Sequence, residues 1–116
     1  MDRIGFIGLG AMGQGMASNI LAKHGQVTVL GNRNRAPVDA LVAQGAEEAQ
    51  SPEHVAETCD VIILCLPNSD VVEDVITQMG QALRLGKILI DTGTSSRESP
   101  LTLAKTLQNR GVLFAE

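Results

Sequence analysis

The sequence predicts an α/β fold: a doubly wound, mostly parallel six-stranded sheet of order 3-2-1-4-5-6 with helices on both faces. Short apolar runs alternate with amphipathic segments along all 116 residues. The runs Val61–Leu66 and Lys87–Ile90 show no polar alternation, which is typical of parallel strands covered on both faces. Strands that are joined by helices pair in parallel, because a parallel neighbour needs a crossover connection.

A strand, a turn and a helix open the chain. Arg3–Ile7 is short, apolar and bounded by glycine, as strands commonly are. From Met12 to Ile20 the apolar residues recur at helical spacing. We therefore expect a helix over Ala11–Lys23 that ends at Gly25, because helix ends favour a left-handed glycine.

The same alternation continues through the next segment. β-branched side chains favour a second strand over Gln26–Leu30. Pro37 suits the first position of a helix, where its missing N–H costs nothing, and Gly45 closes that helix. Ala46-Glu47 predicts a stub of a third strand, and Ser51–Thr58 predicts a short helix with a serine cap. The predicted apolar stripe of the second helix comprises Val38, Leu41 and Val42.

The second half of the chain repeats the pattern, so residues 1–116 are predicted to form one domain. Pro67 ends the fourth strand, Val61–Leu66, because proline has no N–H to donate to a sheet. The remaining predicted elements are a helix capped by Asn68, Ser69 or Asp70 and running to Met79, a strand over Lys87–Ile90, a helix over Arg97–Asn109 and a strand over Val112–Phe114.

Composition argues against several classes of protein. With 44% apolar and 19% charged residues, the chain should form a packed core rather than stay disordered. A net charge of −4 and only 2% aromatic residues disfavour a nucleic-acid partner and an anionic membrane surface. No apolar run reaches the roughly 18 residues of a membrane span. Cys59 and Cys65 show neither a disulfide framework nor zinc spacing, which favours a reducing, cytoplasmic location.

The turn after the first strand carries the strongest motif, Gly8-Leu9-Gly10-Ala11-Met12-Gly13. A GxGxxG between a strand and a helix predicts a dinucleotide-binding turn of Rossmann type. Gly8 permits the tight turn, Gly10 lets a pyrophosphate approach the backbone, and Gly13 lets the helix pack closely on the strand. The N-terminus of that helix offers free N–H groups and a positive dipole. A tight turn without a ligand is the alternative.

The segment after the second strand bears on the cofactor. NAD-binding sites usually place an acid there to hold the ribose 2′-OH. Here the stretch Gly31-Asn32-Arg33-Asn34-Arg35 contains two arginines and no acid. A guanidinium can bind a 2′-phosphate bidentately, so NADP is favoured over NAD. The alternative is a solvated loop whose arginines bind nothing.

Two further places lie at predicted carboxyl ends of strands, where doubly wound sheets bind ligands. Leu66-Pro67 follows the fourth strand, with a simple strand end as its alternative. Asp91–Ser96 follows the fifth, and its hydroxyls could hold a carboxylate or a nicotinamide ribose or could cap a helix. Both histidines and both cysteines are interpreted as structural. No lysine (Lys23, Lys87, Lys105) falls at such an end, so we identify no general acid.

These motifs together resemble one family. Gly5–Gly13 and Met16-Ala17-Ser18-Asn19 resemble the opening of the β-hydroxyacid dehydrogenases, and Asn32-Arg33, Leu66-Pro67 and Asp91–Ser96 resemble their later loops. The family includes 3-hydroxyisobutyrate dehydrogenase, tartronate semialdehyde reductase, the glyoxylate/succinic semialdehyde reductases and, more distantly, 6-phosphogluconate dehydrogenase and imine reductases. The chain departs from its pattern at Gly31, where an aromatic residue is common, and at Arg97, where proline is common.

The resemblance implies roles for cofactor-binding residues and none for a catalytic residue within this chain. The pyrophosphate would lie on the glycine turn, and the 2′-phosphate on the segment after the second strand. Leu66, Pro67 and Val71 would line the adenosine or nicotinamide side, and Thr94 would contact the nicotinamide part or the substrate. The implied pyrophosphate residues are Phe6, Ile7, Gly8, Leu9, Gly10, Ala11, Met12 and Gly13, and those for the 2′-phosphate are Asn32 and Arg33.

Family members are much longer and carry their catalytic lysine on a later helix. The resemblance therefore implies the NADP-binding part of an oxidoreductase that moves a hydride between NADP(H) and a small 3-hydroxy or 2-hydroxy acid or semialdehyde. We expect this chain to bind cofactor without turnover, and the full-length enzyme to take a small carboxylate-bearing substrate. A non-catalytic dinucleotide-binding module and the first half of an imine reductase are the alternatives. An exposed sheet flank could also support a homo-oligomer.

Overall fold

The computed structural model describes residues 3–31, 36–66, 69–84, 86–92 and 111–115. A single 3₁₀ turn, Gly80–Ala82, precedes the fifth strand. The predicted helix over Arg97–Asn109 lies outside the described residues. The elements in chain order are β1 (Ile4–Ile7), α1 (Ala11–His24), β2 (Thr28–Leu30), α2 (Ala36–Ala43), β3 (Glu47–Glu48), α3 (Pro52–Thr58), β4 (Val61–Leu64), α4 (Ser69–Met79), β5 (Ile88–Asp91) and β6 (Leu113–Ala115).

The six strands form one sheet of order β3-β2-β1-β4-β5-β6, which confirms the predicted topology. All five strand pairs are parallel, so every carboxyl end lies at the same edge of the sheet. β1 and β4 are neighbours at its centre, with Ile7 paired to Leu64. The chain leaves β1 towards β2 on one side and returns through β4 on the other, so the strand order reverses between β1 and β4.

Alternate residues of each central strand face two separate apolar cores. Ile62 and Leu64 of β4 lie with α3 and α4 in one cluster and are fully buried. Ile63, which lies between them, packs against the other cluster, formed with α1 and α2 around Phe6. Both faces of β4 are therefore covered, as the unbroken apolar run predicts.

The two faces are covered less evenly towards β6. On β5, Leu89 is fully buried, whereas Ile88 and Ile90 on the opposite face are only partly buried. Leu113, paired with Ile88 on that face, is 64% exposed. Among the described residues of β5 and β6, the apolar side chains are therefore less buried on the face opposite α4 than on the face that α4 covers.

The second strand starts two residues later than predicted, because the side chain of Gln26 forms the hydrogen bonds that the backbone of a strand would form there. The Gln26 side-chain oxygen accepts a hydrogen bond from the Ile4 N–H at 2.9 Å, and its amide nitrogen donates to the Thr28 hydroxyl at 3.1 Å. Gln26 is thus hydrogen-bonded to the first strand through its side chain. The β2 ladder then begins at Thr28, which pairs with Gly5.

The end of α2 shifts the third strand by one residue. Gly45 has a φ of 111°, and the Ala46 N–H donates to the Leu41 carbonyl at 3.0 Å, so Ala46 caps the helix. The strand stub accordingly covers Glu47–Glu48 instead of Ala46-Glu47. The assignment of Val42 to the buried stripe is wrong: its side chain is 42% exposed, although Leu41 beside it is fully buried.

The short helix α3 matches its prediction and packs directly beneath β1. The Ser51 hydroxyl accepts a hydrogen bond from the His54 N–H at 3.1 Å and caps the helix. A methyl group added to Gly5 would lie 2.6 Å from Val55 Cγ1 and 3.0 Å from the Cys59 sulfur. The absence of a side chain at Gly5 therefore sets how closely α3 approaches the sheet.

Two glycine-to-alanine changes should alter stability in opposite directions. Gly15 is exposed within α1 with no atom near its would-be Cβ, so Gly15→Ala should stabilise the fold by about 0.5–1 kcal/mol. Gly5→Ala should destabilise it by about 1–3 kcal/mol, because the new methyl overpacks the contact with Val55. Urea unfolding followed by far-UV circular dichroism measures both, since the chain has no tryptophan or tyrosine. Changes of the same sign would contradict this account.

Candidate functional site

The glycine turn lies at the carboxyl edge, where the strand order reverses. Gly8 follows β1 directly and has a φ of 102°, a conformation that side chains rarely tolerate. A Cβ on Gly8 would also collide with the carbonyl oxygen of Cys65. The Gly8 N–H donates to the Leu30 carbonyl at 3.1 Å, which ties the turn to the end of β2. The turn can therefore sit between β2 and β4 only if residue 8 is glycine.

Gly13 brings the first helix onto this turn. A Cβ on Gly13 would collide with the Gly8 carbonyl oxygen and lie 3.3 Å from Phe6 Cε1. The structure thus confirms the predicted close packing at Gly13, and shows that the helix contacts both the turn and the strand. This approach places the first turn of α1 directly above the carboxyl end of β1.

The N-terminus of α1 has the features that an anion requires. Gly10 is its N-cap, makes no side-chain capping hydrogen bond and precedes a first turn without acidic residues. The first N–H groups of a helix have no partner within the helix. A Cβ built on Gly10 would meet nothing within 4 Å. The backbone here is open to a group larger than a methyl, and the helix dipole favours a negative charge on that group.

The residues of the motif contribute in two different ways. Phe6 and Ile7 are at most 4% exposed and point to opposite cores, and Leu9 is 6% exposed. Their side chains therefore support the turn from within the core. Met12, by contrast, is 61% exposed, which leaves an apolar side chain in solvent beside Gly10.

An apolar wall flanks the turn on the side of α4. Leu66, only 8% exposed, and Ile7 belong to the same cluster, against which Leu30 and Val71 pack. These side chains come from the ends of β1, β2 and β4 and from the start of α4. The structure therefore places Leu66 and Val71 after the carboxyl end of β4, in the same apolar cluster as Ile7. Four of the predicted site residues, Asn32, Arg33, Pro67 and Thr94, lie outside the described residues.

A hydroxyl at the end of β5 was not singled out by the sequence. The Thr92 hydroxyl and the Thr92 backbone N–H each donate to the Leu64 carbonyl at 2.8 Å. Thr92 falls within the predicted loop Asp91–Ser96, but this contact had no individual prediction. A threonine immediately after a parallel strand is the one signal that could have suggested it.

Neither lysine among the described residues lies at the carboxyl edge of the sheet. Lys87 lies at the opposite, amino edge, where its Nζ donates to the Cys59 carbonyl at 2.7 Å. Lys23 lies in the last turn of α1. Cys65 follows β4 and is half-buried, rather than lying inside a buried strand as predicted. The described ranges contain no group of His, Cys, Asp or Glu side chains able to hold a metal ion.

Within the part of the chain that the structure describes, no helix is long and apolar enough to cross a membrane.

A parallel sheet with an uncapped helix over a glycine turn, at the point where the strand order reverses, defines the class of dinucleotide-binding α/β domains. Residues 3–116 match the family described as the NAD-binding domain of 6-phosphogluconate dehydrogenase. The chain belongs to this family and is an NAD(P)-binding domain of the kind found in dehydrogenases and reductases.

Proteins of similar sequence include one named as a dehydrogenase and one named as a nuclear factor. The chain is 38% identical over 117 residues to 2-(hydroxymethyl)glutarate dehydrogenase of Eubacterium barkeri, an alignment that covers 98% of this chain and 38% of that protein. It is 33% identical to the cytokine-like nuclear factor N-PAC of Xenopus tropicalis, covering 98% of this chain and 22% of that protein. The chain thus spans well under half the length of either relative.

Solved structures of two enzymes share the fold. The 3-hydroxyisobutyrate dehydrogenase of Mycobacterium tuberculosis, solved with L-serine, superimposes with a TM-score of 0.86 at 30% identity, over 98% of this chain and 39% of that one. A reductive aminase from Aspergillus terreus, in complex with NADPH and ethyl-5-oxohexanoate, gives a TM-score of 0.84 at 26% identity, over 98% and 39%. The resemblance to the β-hydroxyacid dehydrogenases is therefore confirmed.

Substitution by alanine should affect stability differently at Gly10 and at Gly13. Gly13→Ala should destabilise the fold by about 1–3 kcal/mol, because its Cβ collides with the Gly8 carbonyl. Gly10→Ala should cost less than about 1 kcal/mol, since its Cβ meets open space and only the helix cap worsens. Thermal and urea unfolding compare the variants. A Gly10 variant as unstable as the Gly13 variant would contradict this description of the turn.

Proposed function

We propose that this chain binds NADP(H) across the carboxyl edge of its sheet, with the pyrophosphate on the glycine turn. The observation that carries the proposal is the open backbone at Gly10 beneath the uncapped N-terminus of α1. A pyrophosphate is the anion that suits this turn, because the helix N–H groups and dipole meet it where no Cβ intervenes. The residues fit the group without any change in the turn.

We assign the two halves of the dinucleotide to opposite sides of β1. In folds of this order the group after the second strand recognises the adenosine ribose. Asn32 and Arg33 are therefore proposed to hold the 2′-phosphate. Leu66, Pro67 and Val71 would line the apolar sides of the crevice, and Thr94 would contact the nicotinamide part or the substrate. The backbone from Gly8 to Gly13 would hold the pyrophosphate, with Phe6 and Ile7 supporting it from the core.

NADP is proposed over NAD on charge. The segment from Gly31 to Arg35 contains two arginines and no carboxylate. A carboxylate would repel the 2′-phosphate, whereas a guanidinium can pair with it through two hydrogen bonds. The reductive aminase of similar fold was solved with NADPH, which supports the same choice.

The proposed whole-protein activity is hydride transfer between NADP(H) and a small 3-hydroxy or 2-hydroxy acid or its semialdehyde. The bound nicotinamide would supply the hydride chemistry, and the protein would supply placement. The relatives named for 2-(hydroxymethyl)glutarate and 3-hydroxyisobutyrate support a small carboxylate-bearing substrate. The free thiols Cys59 and Cys65 fit a reducing, cytoplasmic location.

Residues 1–116 are proposed to act as the dinucleotide-binding domain of such an oxidoreductase and to bind cofactor without turnover. Among the described residues, both lysines lie away from the carboxyl edge, so neither can protonate a substrate oxygen there. Measured turnover of a small semialdehyde acid by the chain alone would overturn this part of the proposal.

A non-catalytic dinucleotide-binding module is the second candidate. Its support is the 33% identity to a relative named as a nuclear factor rather than as an enzyme. The fold alone does not separate the two, because this fold hosts many functions. An imine-reducing enzyme is a third candidate, supported by the similarity to a reductive aminase. Assays of the full-length protein with hydroxy acids and with imines, each with NADP(H), distinguish all three.

Calorimetric titration with NADPH and NADH tests the cofactor assignment. We expect NADPH to bind about tenfold more tightly or better, because one charge-assisted contact to the 2′-phosphate is worth at least about 1.4 kcal/mol. Gly10→Ala should weaken both ligands, and Gly15→Ala, an exposed change on the same helix, should weaken neither. Tighter binding of NADH would show that the assignment to NADP is wrong. An equal loss of affinity in the Gly10 and Gly15 variants would mean that the glycine turn is not part of the binding site.

Arg33→Asp should abolish the cofactor preference. The change removes a guanidinium from the proposed 2′-phosphate site and adds a repulsive carboxylate, so NADPH should bind at least about tenfold more weakly while NADH is spared. Arg84→Asp is the matched control, because Arg84 is exposed and lies just before the amino end of β5. Equal losses of NADPH and NADH in the Arg33 variant would mean that this side chain does not contact the extra phosphate.

A further inference from the structure

Met12 differs in exposure from the other methionines that the structure describes. Met12 is 61% exposed, whereas Met79 is fully buried and Met16 packs against the core formed with α1 and α2. Apolar side chains stabilise a fold through burial, so Met12 contributes little to the free energy of folding. Its side chain is therefore accessible to dissolved reagents and is not needed for the core.

Met12 also lies in the first turn of α1, where the anion is proposed to bind. It is the second residue of the helix, two positions after the open backbone at Gly10. The side chains of a helix lean towards its N-terminus, so the side chain of Met12 leans towards the uncapped end of α1. A chemical change of this side chain therefore takes place beside the N–H groups that are proposed to hold the pyrophosphate.

We propose that Met12 is a redox-sensitive modification site whose oxidation weakens dinucleotide binding, an inference that rests on the proposed function. A hydroperoxide transfers one oxygen atom to the Met12 sulfur as its O–O bond breaks. The sulfur is oxidised by two electrons to the sulfoxide, and the hydroperoxide is reduced to water or to an alcohol. The product is a substrate for methionine sulfoxide reductases, which makes the change reversible.

The sulfoxide oxygen would act against the ligand in two ways. The first N–H groups of a helix have no acceptor within the helix, and the N-terminus of α1 has no side-chain cap. The new oxygen is a hydrogen-bond acceptor and would compete for these N–H groups with the pyrophosphate. Its partial negative charge would also repel phosphate oxygens at the same place. Before oxidation the thioether sulfur is only a weak acceptor, so the N–H groups stay available.

The exposure of Met12 also predicts that its oxidation spares the fold. A polar group at this position removes little buried apolar surface. Oxidation of Met79, by contrast, would place a polar group in the core, and a reagent reaches that side chain only when the domain opens. A loss of affinity without a loss of stability therefore distinguishes oxidation at the site from general oxidative damage.

Brief treatment of the 116-residue chain with hydrogen peroxide, followed by removal of the peroxide, tests the proposal. Peptide mapping by mass spectrometry should find Met12 oxidised before Met16 and Met79. Calorimetry should then show that NADPH binds about fivefold more weakly, the effect of one competing hydrogen bond. The midpoint of urea unfolding should be unchanged.

Two leucine variants assign the effect to one sulfur. In Met12→Leu the NADPH affinity should be the same before and after peroxide treatment, whatever its starting value. Met16→Leu is the matched control, because Met16 lies about one turn further along α1. In that variant peroxide should weaken binding as it does in the original chain.

The outcomes separate this inference from the proposed function. Unchanged NADPH affinity after oxidation of Met12 overturns the inference, and so does oxidation of Met16 or Met79 before Met12. A loss that persists in Met12→Leu also overturns it, because another residue, such as the half-buried thiol of Cys65, would then carry the effect. A loss accompanied by a lower unfolding midpoint overturns it too, because the damage would lie in the fold. In all these cases the untreated chain still binds NADPH; if it does not, the proposed function itself fails and the inference fails with it.

Discussion

The lack of room for a Cβ around the first turn is the constraint on which the rest of the structure depends. Gly8 passes against the Cys65 carbonyl, and Gly13 rests on the Gly8 carbonyl, at separations that admit no side chain at either position. These contacts fix the turn to β4 below it and fix α1 above it. The open backbone at Gly10 follows, because a helix held this close presents its first N–H groups over the edge of the sheet.

The order of the strands could be read from the sequence because it follows from general rules. Alternating strands and helices require parallel pairing, and a GxGxxG after the first strand indicates where the order reverses. The ends of the elements were less accessible. Gln26 has a strand-compatible sequence context, yet its amide bonds to Ile4 and replaces the main chain there. Ala46 is apolar, yet its N–H serves the end of α2. Such competition between local hydrogen bonds leaves no periodic signal.

The candidate site, too, was only partly predictable from the sequence. Gly8 and Gly13 were predictable, because each meets a steric requirement that only glycine satisfies. The contact between Thr92 and Leu64 joins residues 28 apart and depends on how two strands are placed side by side, which the local sequence does not specify. The exposure of Val42 had a similar origin: helical spacing puts it beside Leu41, but the neighbouring elements cover only one of the two.

The buried ammonium group of Lys87 has a practical consequence. It is 8% exposed and bonded to the Cys59 carbonyl, whereas Lys23 lies exposed on the surface of α1. An amine-reactive reagent reaches the ε-amino group of Lys23 in the folded chain, and that of Lys87 only when the amino edge opens. Peptide mapping after brief labelling would therefore report the opening of the domain, in a protein whose lack of tryptophan and tyrosine removes the usual intrinsic fluorescence.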